Sequence, residues 1–166
     1  MALKRSSQII TVGFSLVESA ANTFTQGQIA LQLNPLDQEV FVVVAADLDP
    51  AAPDCITGLN TEVAASLSAT SRTQFGNLND SSVLANSVYN IRTDGANHVA
   101  IQRTSLDAPP AALDYIAIIS TNDFFIQLQG TNNAAGKTLF GRIWGYRAKA
   151  DAATYAALVQ SEVLSS

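Results

Sequence analysis

The 166-residue sequence is poor in charge, and it contains one histidine and one cysteine. Charged side chains make up 14% of the chain, whereas a typical soluble domain has about 25%. Because taking a charge out of water is costly, a surface poor in charge suits burial against neighbouring subunits. A monomer with a neutral polar surface is the alternative, although low charge also lowers the solubility of a free monomer. We therefore expect self-assembly.

The scarcity of histidine and cysteine restricts the chemistry that the chain can perform. Cys55 is the single cysteine, so no intrachain disulfide can form, and its neighbour Asp54 disfavours a reactive thiolate. His98 is the single histidine, so a metal site made of several histidines is excluded. A zinc site that needs two cysteines is excluded as well, because the chain has one. The Gly-x-Ser-x-Gly turn that presents a nucleophilic serine is also absent. We predict a protein that is not an enzyme and has no catalytic, metal-binding or cofactor-binding residues.

Long apolar segments and clusters of basic residues are also missing. The longest apolar run, residues 40–46, is far shorter than the roughly 20 residues that span a bilayer. The N-terminal segment lacks the apolar core of a secretion signal, so we predict a protein that is neither secreted nor membrane-spanning. The net charge is −5, and Lys4-Arg5 is the one basic feature near the N-terminus. Direct nucleic-acid binding, which requires clustered cations, is therefore not expected.

Apolar residues alternate with polar ones in short segments, a pattern that predicts β-strands. Asp94-Gly95 predicts one hairpin between the strands at 87–92 and 98–105, and Asn122-Asp123 predicts a second between those at 115–120 and 124–129. Residues 39–46 are apolar on both faces, so this strand is covered on both sides or contacts another subunit. The predicted strands cover residues 8–17, 28–33, 39–46, 62–70, 87–92, 98–105, 115–120, 124–129 and 138–147.

Residues 151–163 have helical spacing of apolar residues, and Asp151 is a suitable N-cap. Such a helix can pack on its own sandwich or on a neighbour. The sequence thus predicts one all-β domain over residues 1–166. We expect an antiparallel β-sandwich, jelly-roll-like with about eight strands, followed by a short C-terminal α-helix at about 151–163.

Two loops contain residues that suggest a binding site. The segment 130–138 has the glycines, lysine and threonine of a phosphate-binding loop, but five residues separate its glycines where the motif requires four. A strand follows it where the motif requires a helix, so we predict a hairpin loop. Asp47, Asp49 and Asp54 are spaced as ligands of Ca²⁺ could be, but the glycine and glutamate of an EF-hand loop are missing. A proline-rich turn at a strand end is the interpretation that we favour.

Acidic and basic residues occupy different parts of the chain. Residues 37–62 contain no Lys or Arg, and residues 137–149 contain no Asp or Glu. Two interpretations remain open: the segments attract each other between subunits, or they pair within one fold. In the basic segment, Arg142 beside Trp144 and Tyr146 could stack on a nucleic-acid base, although one such strand in an acidic protein is weak support. The charged residues are Asp37, Glu39, Asp47, Asp49, Asp54 and Glu62 in the first segment and Lys137, Arg142, Arg147 and Lys149 in the second.

The succession of about eight strands, the doubly apolar segment EVFVVVAA at 39–46, the long middle loops and the tail at 141–162 resembles single jelly-roll viral capsid proteins. The tail is similar to those of small phage or environmental virus structural proteins. This resemblance implies a virion shell subunit that is made in the host cytoplasm and binds copies of itself, with other virion proteins as further partners. It implies no site residues, and the chain lacks the long basic N-terminal arm of small RNA-virus subunits.

Two other functions are compatible with a β-sandwich. A carbohydrate- or ligand-binding module would place aromatic side chains beside carboxylates, and Trp144 lies instead among arginines. A small β-barrel enzyme of the cupin type needs several metal-binding histidines, whereas this chain has His98 alone.

Overall fold

The computed structural model describes residues 3–105 and 111–164, and in this part of the chain ten strands form two antiparallel sheets. Sheet A has the order β10-β4-β8, with β1 and β2 along the other side of β10, and sheet B has the order β3-β9-β5-β6-β7. The strands are β1 Leu3–Arg5, β2 Ile10–Val17, β3 Thr25–Ala30, β4 Glu39–Pro50, β5 Thr61–Ser68, β6 Val83–Thr93, β7 His98–Thr104, β8 Ala117–Ile119, β9 Asp123–Thr131 and β10 Thr138–Ala150.

The strand pairing is nested. Leaving β1 and β7 aside, β5 pairs with β6, β4 with β8, β3 with β9 and β2 with β10. One long antiparallel ribbon wrapped into two sheets has this pairing, which is the jelly-roll arrangement. The predicted all-β sandwich with a C-terminal helix is therefore confirmed.

One of the two predicted hairpins forms. Strands β6 and β7 pair through the turn at Asp94-Gly95, where Gly95 has a φ of +102° and the Asp94 carboxylate accepts the N–H groups of Ala96 and Asn97. The second hairpin is wrong, because β8 belongs to sheet A and β9 to sheet B. Asn122 at the corner accepts the N–H group of Leu31 with its carbonyl and directs β9 to pair with β3.

The hairpin loop predicted between residues 130 and 138 is wrong for the same reason. Strand β9 ends in sheet B at Thr131, and β10 begins in sheet A at Thr138. The intervening loop therefore crosses from one sheet to the other. The prediction that a strand follows it is confirmed by β10.

The main core lies between the sheets and is lined by every second side chain of the inner strands. Val63, Ala65 and Leu67 of β5 face it as the alternation predicts, together with Phe124 of β9 and Ile143 of β10. Each is essentially inaccessible to water. Burying a side chain of this size contributes about 1.5–3 kcal/mol.

A second apolar cluster explains why residues 39–46 are apolar on both faces. Phe41 and Val43 face the main core, whereas Val40 and Val42 lie on the outer face of sheet A. Helix α1, residues Ala152–Leu164, covers that outer face with its side chains. The strand is thus covered on both sides within one subunit.

Helix α1 is fixed at both ends. Asp151 accepts the N–H group of Thr154 at 2.7 Å, so the predicted N-cap is confirmed. Near the other end, Glu162 is 7% exposed and accepts hydrogen bonds from the backbone N–H of Ser120 at 2.7 Å and the hydroxyl of Thr121 at 2.7 Å. The Ser120 hydroxyl also donates to it. The helix therefore packs on its own sandwich. Among the described residues, no helix is long and apolar enough to cross a membrane.

The serine-rich stretch before β6 lies over the outer face of sheet B. Beneath it, the side chain of Gln127 accepts a hydrogen bond from Ser66 at 2.7 Å and donates one to Ser68 at 2.9 Å, and all three are inaccessible to water. Arg72 in the covering stretch donates to the carboxylate of Asp80 at 2.5 Å. The hydrogen bond from the guanidinium of Arg72, together with those from Ser82, lowers the pKa of Asp80 to about 2. The N–H group of Gly76 in the covering stretch donates to the hydroxyl of Ser66 at 3.1 Å, and this bond joins the stretch to the buried polar network of the sheet.

Candidate assembly surfaces

The acidic and basic segments pair with each other inside the chain. Strand β10, which holds most of the basic segment, is the antiparallel neighbour of β4, which holds much of the acidic one. Because three pairs between the two segments form within one fold, the interpretation that the segments attract each other between subunits loses support. The pairs are Lys137–Asp54 at 2.6 Å, Arg147–Glu39 at 2.5 Å and Lys149–Asp37 at 3.8 Å.

The loop that resembles a phosphate-binding loop is held by two carboxylates of the chain itself. Buried Glu18 accepts the N–H groups of Gly130 at 2.6 Å and of Lys137 at 2.8 Å. Asp54 accepts the N–H group of Ala134 and the ammonium of Lys137, which lowers the pKa of Asp54. The amides and the cation that would bind phosphate thus have partners already. The role of Glu18 could not be found from the sequence, where it is simply an acid that ends a strand.

The three aspartates considered for Ca²⁺ are not brought together as one site. Asp54 is engaged with Lys137, whereas Asp47 and Asp49 lie on the outer face of β4. Within residues 3–105 and 111–164, no group of three or more His, Cys, Asp or Glu side chains is placed to hold a metal ion.

Asp47 and Asp49 instead border a shallow cleft on sheet A. In the register of β4 and β10, Asp49 is opposite Phe140 and Asp47 is opposite Arg142. Phe140 is 59% exposed, and Gly13 of β2 opens space beside these residues. The cleft has a volume of about 350 Å³. Its border joins an aromatic ring, two carboxylates and a guanidinium.

The predicted stacking surface of Arg142, Trp144 and Tyr146 is divided. The guanidinium of Arg142 lies 5.6 Å from the centroid of the Trp144 ring. Tyr146 is covered by Arg5, whose guanidinium is 4.6 Å from its ring centroid, and packs in the cluster beneath helix α1. The three side chains therefore do not present one open platform to a base.

His98 and Cys55 are both exposed. His98 begins β7 directly after the turn, as the sequence predicts, and its Nε2 lies 3.3 Å from the carbonyl oxygen of Ile56.

Strand β7 is an exposed edge strand of sheet B. All seven residues, His98–Thr104, are exposed, and among the described residues only β6 pairs with it. Val99 is 55% exposed and Ile101 is 43% exposed. Unpaired strand edges bind other strands readily, and proteins commonly protect them with proline, bulges or several charges. Here the ladder with β6 has no bulge, and Arg103 is the one Lys, Arg, Asp or Glu residue of the strand.

Other large apolar side chains are exposed on separate parts of the molecule. Val17 and Phe140 lie on sheet A, and Leu36 and Leu78 lie in the connections after β3 and after β5. With Val99 and Ile101 of β7, exposed apolar side chains are thus present on both sheets and in two loops.

Comparisons with known proteins give little further information. No family model matches the sequence, and no curated protein matches it. A solved structure described as Desmodium yellow mottle tymovirus matches 84% of this chain and 87% of its own chain, with 12% sequence identity and a TM-score of 0.34. A likeness at this level supports no functional argument.

Proposed function

We propose that the chain is a structural, self-assembling protein whose copies form the shell of a virion. The observation that carries this proposal is the distribution of exposed apolar side chains over both sheets and two loops. A subunit of a closed shell contacts neighbours on several sides, whereas a simple dimer needs one patch. Large apolar side chains contribute most to association when they are buried in such contacts.

The low charge of the chain supports the same proposal. Arg147 pairs with Glu39 across β10 and β4, and Lys137 pairs with Asp54 in the loops next to these strands. These charges have partners within one chain, so contacts that avoid them bury few unpaired charges. Jelly rolls occur in viral capsid proteins, lectins and cupins, and the fold does not decide among them. A cupin-type metal site needs several histidines, and the chain has one. We accordingly propose a single domain over residues 1–166 without enzymatic activity, made in the host cytoplasm, which binds its own copies and not nucleic acid.

Light scattering coupled to size-exclusion chromatography, followed by negative-stain microscopy of the purified protein, tests the proposal. We expect large homo-oligomers of defined size. Because the proposed contacts are mainly apolar, assemblies should persist in 1 M NaCl. At that ionic strength the screening length of charge interactions falls to about 3 Å, from about 10 Å at 0.1 M. A protein that stays monomeric at high concentration in both low and high salt contradicts the proposal.

The cleft on sheet A favours a second function, binding of a carbohydrate or another small polar ligand. Phe140 offers an exposed ring beside the carboxylates of Asp47 and Asp49, an arrangement that suits a sugar with one apolar face and several hydroxyl groups. A glycan array probed with the wild-type protein and with Phe140→Ala tests this function. Binding that disappears in the variant supports it, and an array without hits contradicts it.

A further inference from the structure

We propose that two copies of this chain pair through β7, edge to edge and antiparallel, around a twofold axis at Ile101. The two five-stranded B sheets then form one continuous sheet across the pair. This inference rests on the proposed self-assembly and specifies one of its contacts. We call the resulting contact the β7 pair.

The hydrogen bonds of the β6–β7 hairpin determine which backbone groups are directed outward. Ser105 donates its N–H to the carbonyl of Asn86 at 3.0 Å, and Asp94 donates to that of Asn97 at 3.3 Å. In an antiparallel ladder, bonded pairs recur at every second residue. Val99, Ile101 and Arg103 therefore bond to β6. The N–H and C=O groups of the remaining β7 residues point outward: His98, Ala100, Gln102 and Thr104.

A twofold axis at Ile101 uses all of these outward groups. It pairs Ala100 with Gln102 and His98 with Thr104 of the other copy, and each such pair exchanges two bonds, giving about eight interchain hydrogen bonds. Moving the axis to Ala100 or Gln102 leaves one end of the strand unpaired and reduces the number to about six. The register centred on Ile101 is thus the one that satisfies the whole edge.

The side chains fit the same register. Ile101 lies opposite its own symmetry copy, and the two approach closely because a pair without backbone bonds has its side chains nearest each other. Arg103 lies opposite Val99, whose methyl groups can pack on the aliphatic part of the arginine. An axis at Arg103 would place two guanidinium groups opposite each other, which is destabilising. The β7 pair therefore buries the exposed Val99 and Ile101 without opposing like charges.

Charge substitutions at the axis test the β7 pair. Residue 101 of one copy lies opposite residue 101 of the other. In Ile101→Lys alone, or Ile101→Glu alone, two like charges therefore face each other across the axis. In an equimolar mixture of the two variants, a lysine can face a glutamate. By sedimentation velocity we expect each variant alone to lose the pair, with at least a tenfold weaker association, and the mixture to regain it. Recovery on mixing also shows that both variants are folded. Ser15→Lys, which places the same charge on an exposed polar residue of β2 in sheet A, is the control and should leave the β7 pair unchanged.

A pair of proline variants tests the backbone bonds separately. Ala100→Pro removes an N–H group that points outward, so it should weaken association while leaving the melting temperature close to that of the wild type. Ile101→Pro removes an N–H group that bonds to β6, so it should lower the melting temperature. If the wild type assembles and both charge variants assemble equally well without mixing, the β7 pair is refuted and the proposed function stands. A strictly monomeric wild type overturns the proposed function itself.

Discussion

Glu162 allows the attachment of helix α1 to be measured quantitatively. The carboxylate is nearly buried and accepts bonds from the backbone N–H and hydroxyl of Ser120 and from the hydroxyl of Thr121. Replacing it with alanine removes these bonds and leaves the Ser120 N–H, which lies at a buried corner, without this acceptor. Hydrogen bonds to a charged group contribute about 1.5–3 kcal/mol each, and they are not additive when they share one acceptor.

We therefore expect Glu162→Ala to lower the free energy of unfolding by about 3 kcal/mol. For a domain of this size that loss corresponds to a fall in melting temperature of roughly 6–12 °C. Urea unfolding followed by circular dichroism measures the free energy, and limited proteolysis shows whether the helix detaches first. Ser161→Ala, at the exposed neighbouring position, is the control and should stay within about 0.5 kcal/mol of the wild type.

A variant that unfolds within about 0.5 kcal/mol of the wild type would show that Glu162 does not hold the helix. The same contacts affect how truncations are interpreted. Because the helix covers Val40 and Val42, deletion of residues 151–166 exposes apolar surface in the subunit itself. Such a deletion is expected to destabilise the fold, so reduced assembly in that variant is no measure of a contact between subunits.

Two further predictions concern a close backbone approach and a pH-dependent ion pair. A Cβ on Gly145 would lie 2.3 Å from the carbonyl oxygen of Val42, so Gly145→Ala should lower the free energy of unfolding, measured by chemical denaturation, by about 3 kcal/mol. The matched control is Gly13→Ala. Its Cβ would lie 4.0 Å from the nearest atom, so this variant should be nearly as stable as the wild type. Because hydrogen bonds from Arg72 and Ser82 lower the pKa of Asp80 from 3.8 to about 2, the ionised carboxylate stabilises the fold above pH 4, and this contribution is lost as the pH falls towards 2. Asp80→Asn should accordingly lower the melting temperature at pH 6 and differ much less from the wild type at pH 2; an equal difference at both values would refute the ionised carboxylate as its cause.

The alternation of apolar residues was sufficient to predict most strands and the fold class. It succeeded at β5, where Val63, Ala65 and Leu67 face the core, because one face of that strand is buried between the sheets. The helix was also predictable, since Asp151 provides a cap before a segment without glycine or proline.

The assignment of strands to sheets could not be predicted in the same way. A short polar connection can join two neighbouring strands in a hairpin, or it can lead the chain from one sheet to the other. Both kinds of connection have a similar amino-acid composition. The corner at Asn122 is decided by its hydrogen bonds to Leu31 and Leu33, which are distant in sequence. The partners of Glu18 and Glu162 depend likewise on residues about 40 to 120 positions away along the chain. Local pattern contains no information about such pairs.

The nested ribbon has a consequence for the order in which the chain folds during synthesis. Strand β10 lies at the centre of sheet A between β4 and the N-terminal strands, yet of the ten described strands it is the last to be made. At about 5–20 residues per second, several seconds separate completion of the β6–β7 hairpin from completion of β10. During that interval a finished edge strand is present in a chain whose core is still open. Nascent chains on one messenger are therefore exposed to premature pairing, and slower translation or lower temperature should change the yield of correctly folded protein.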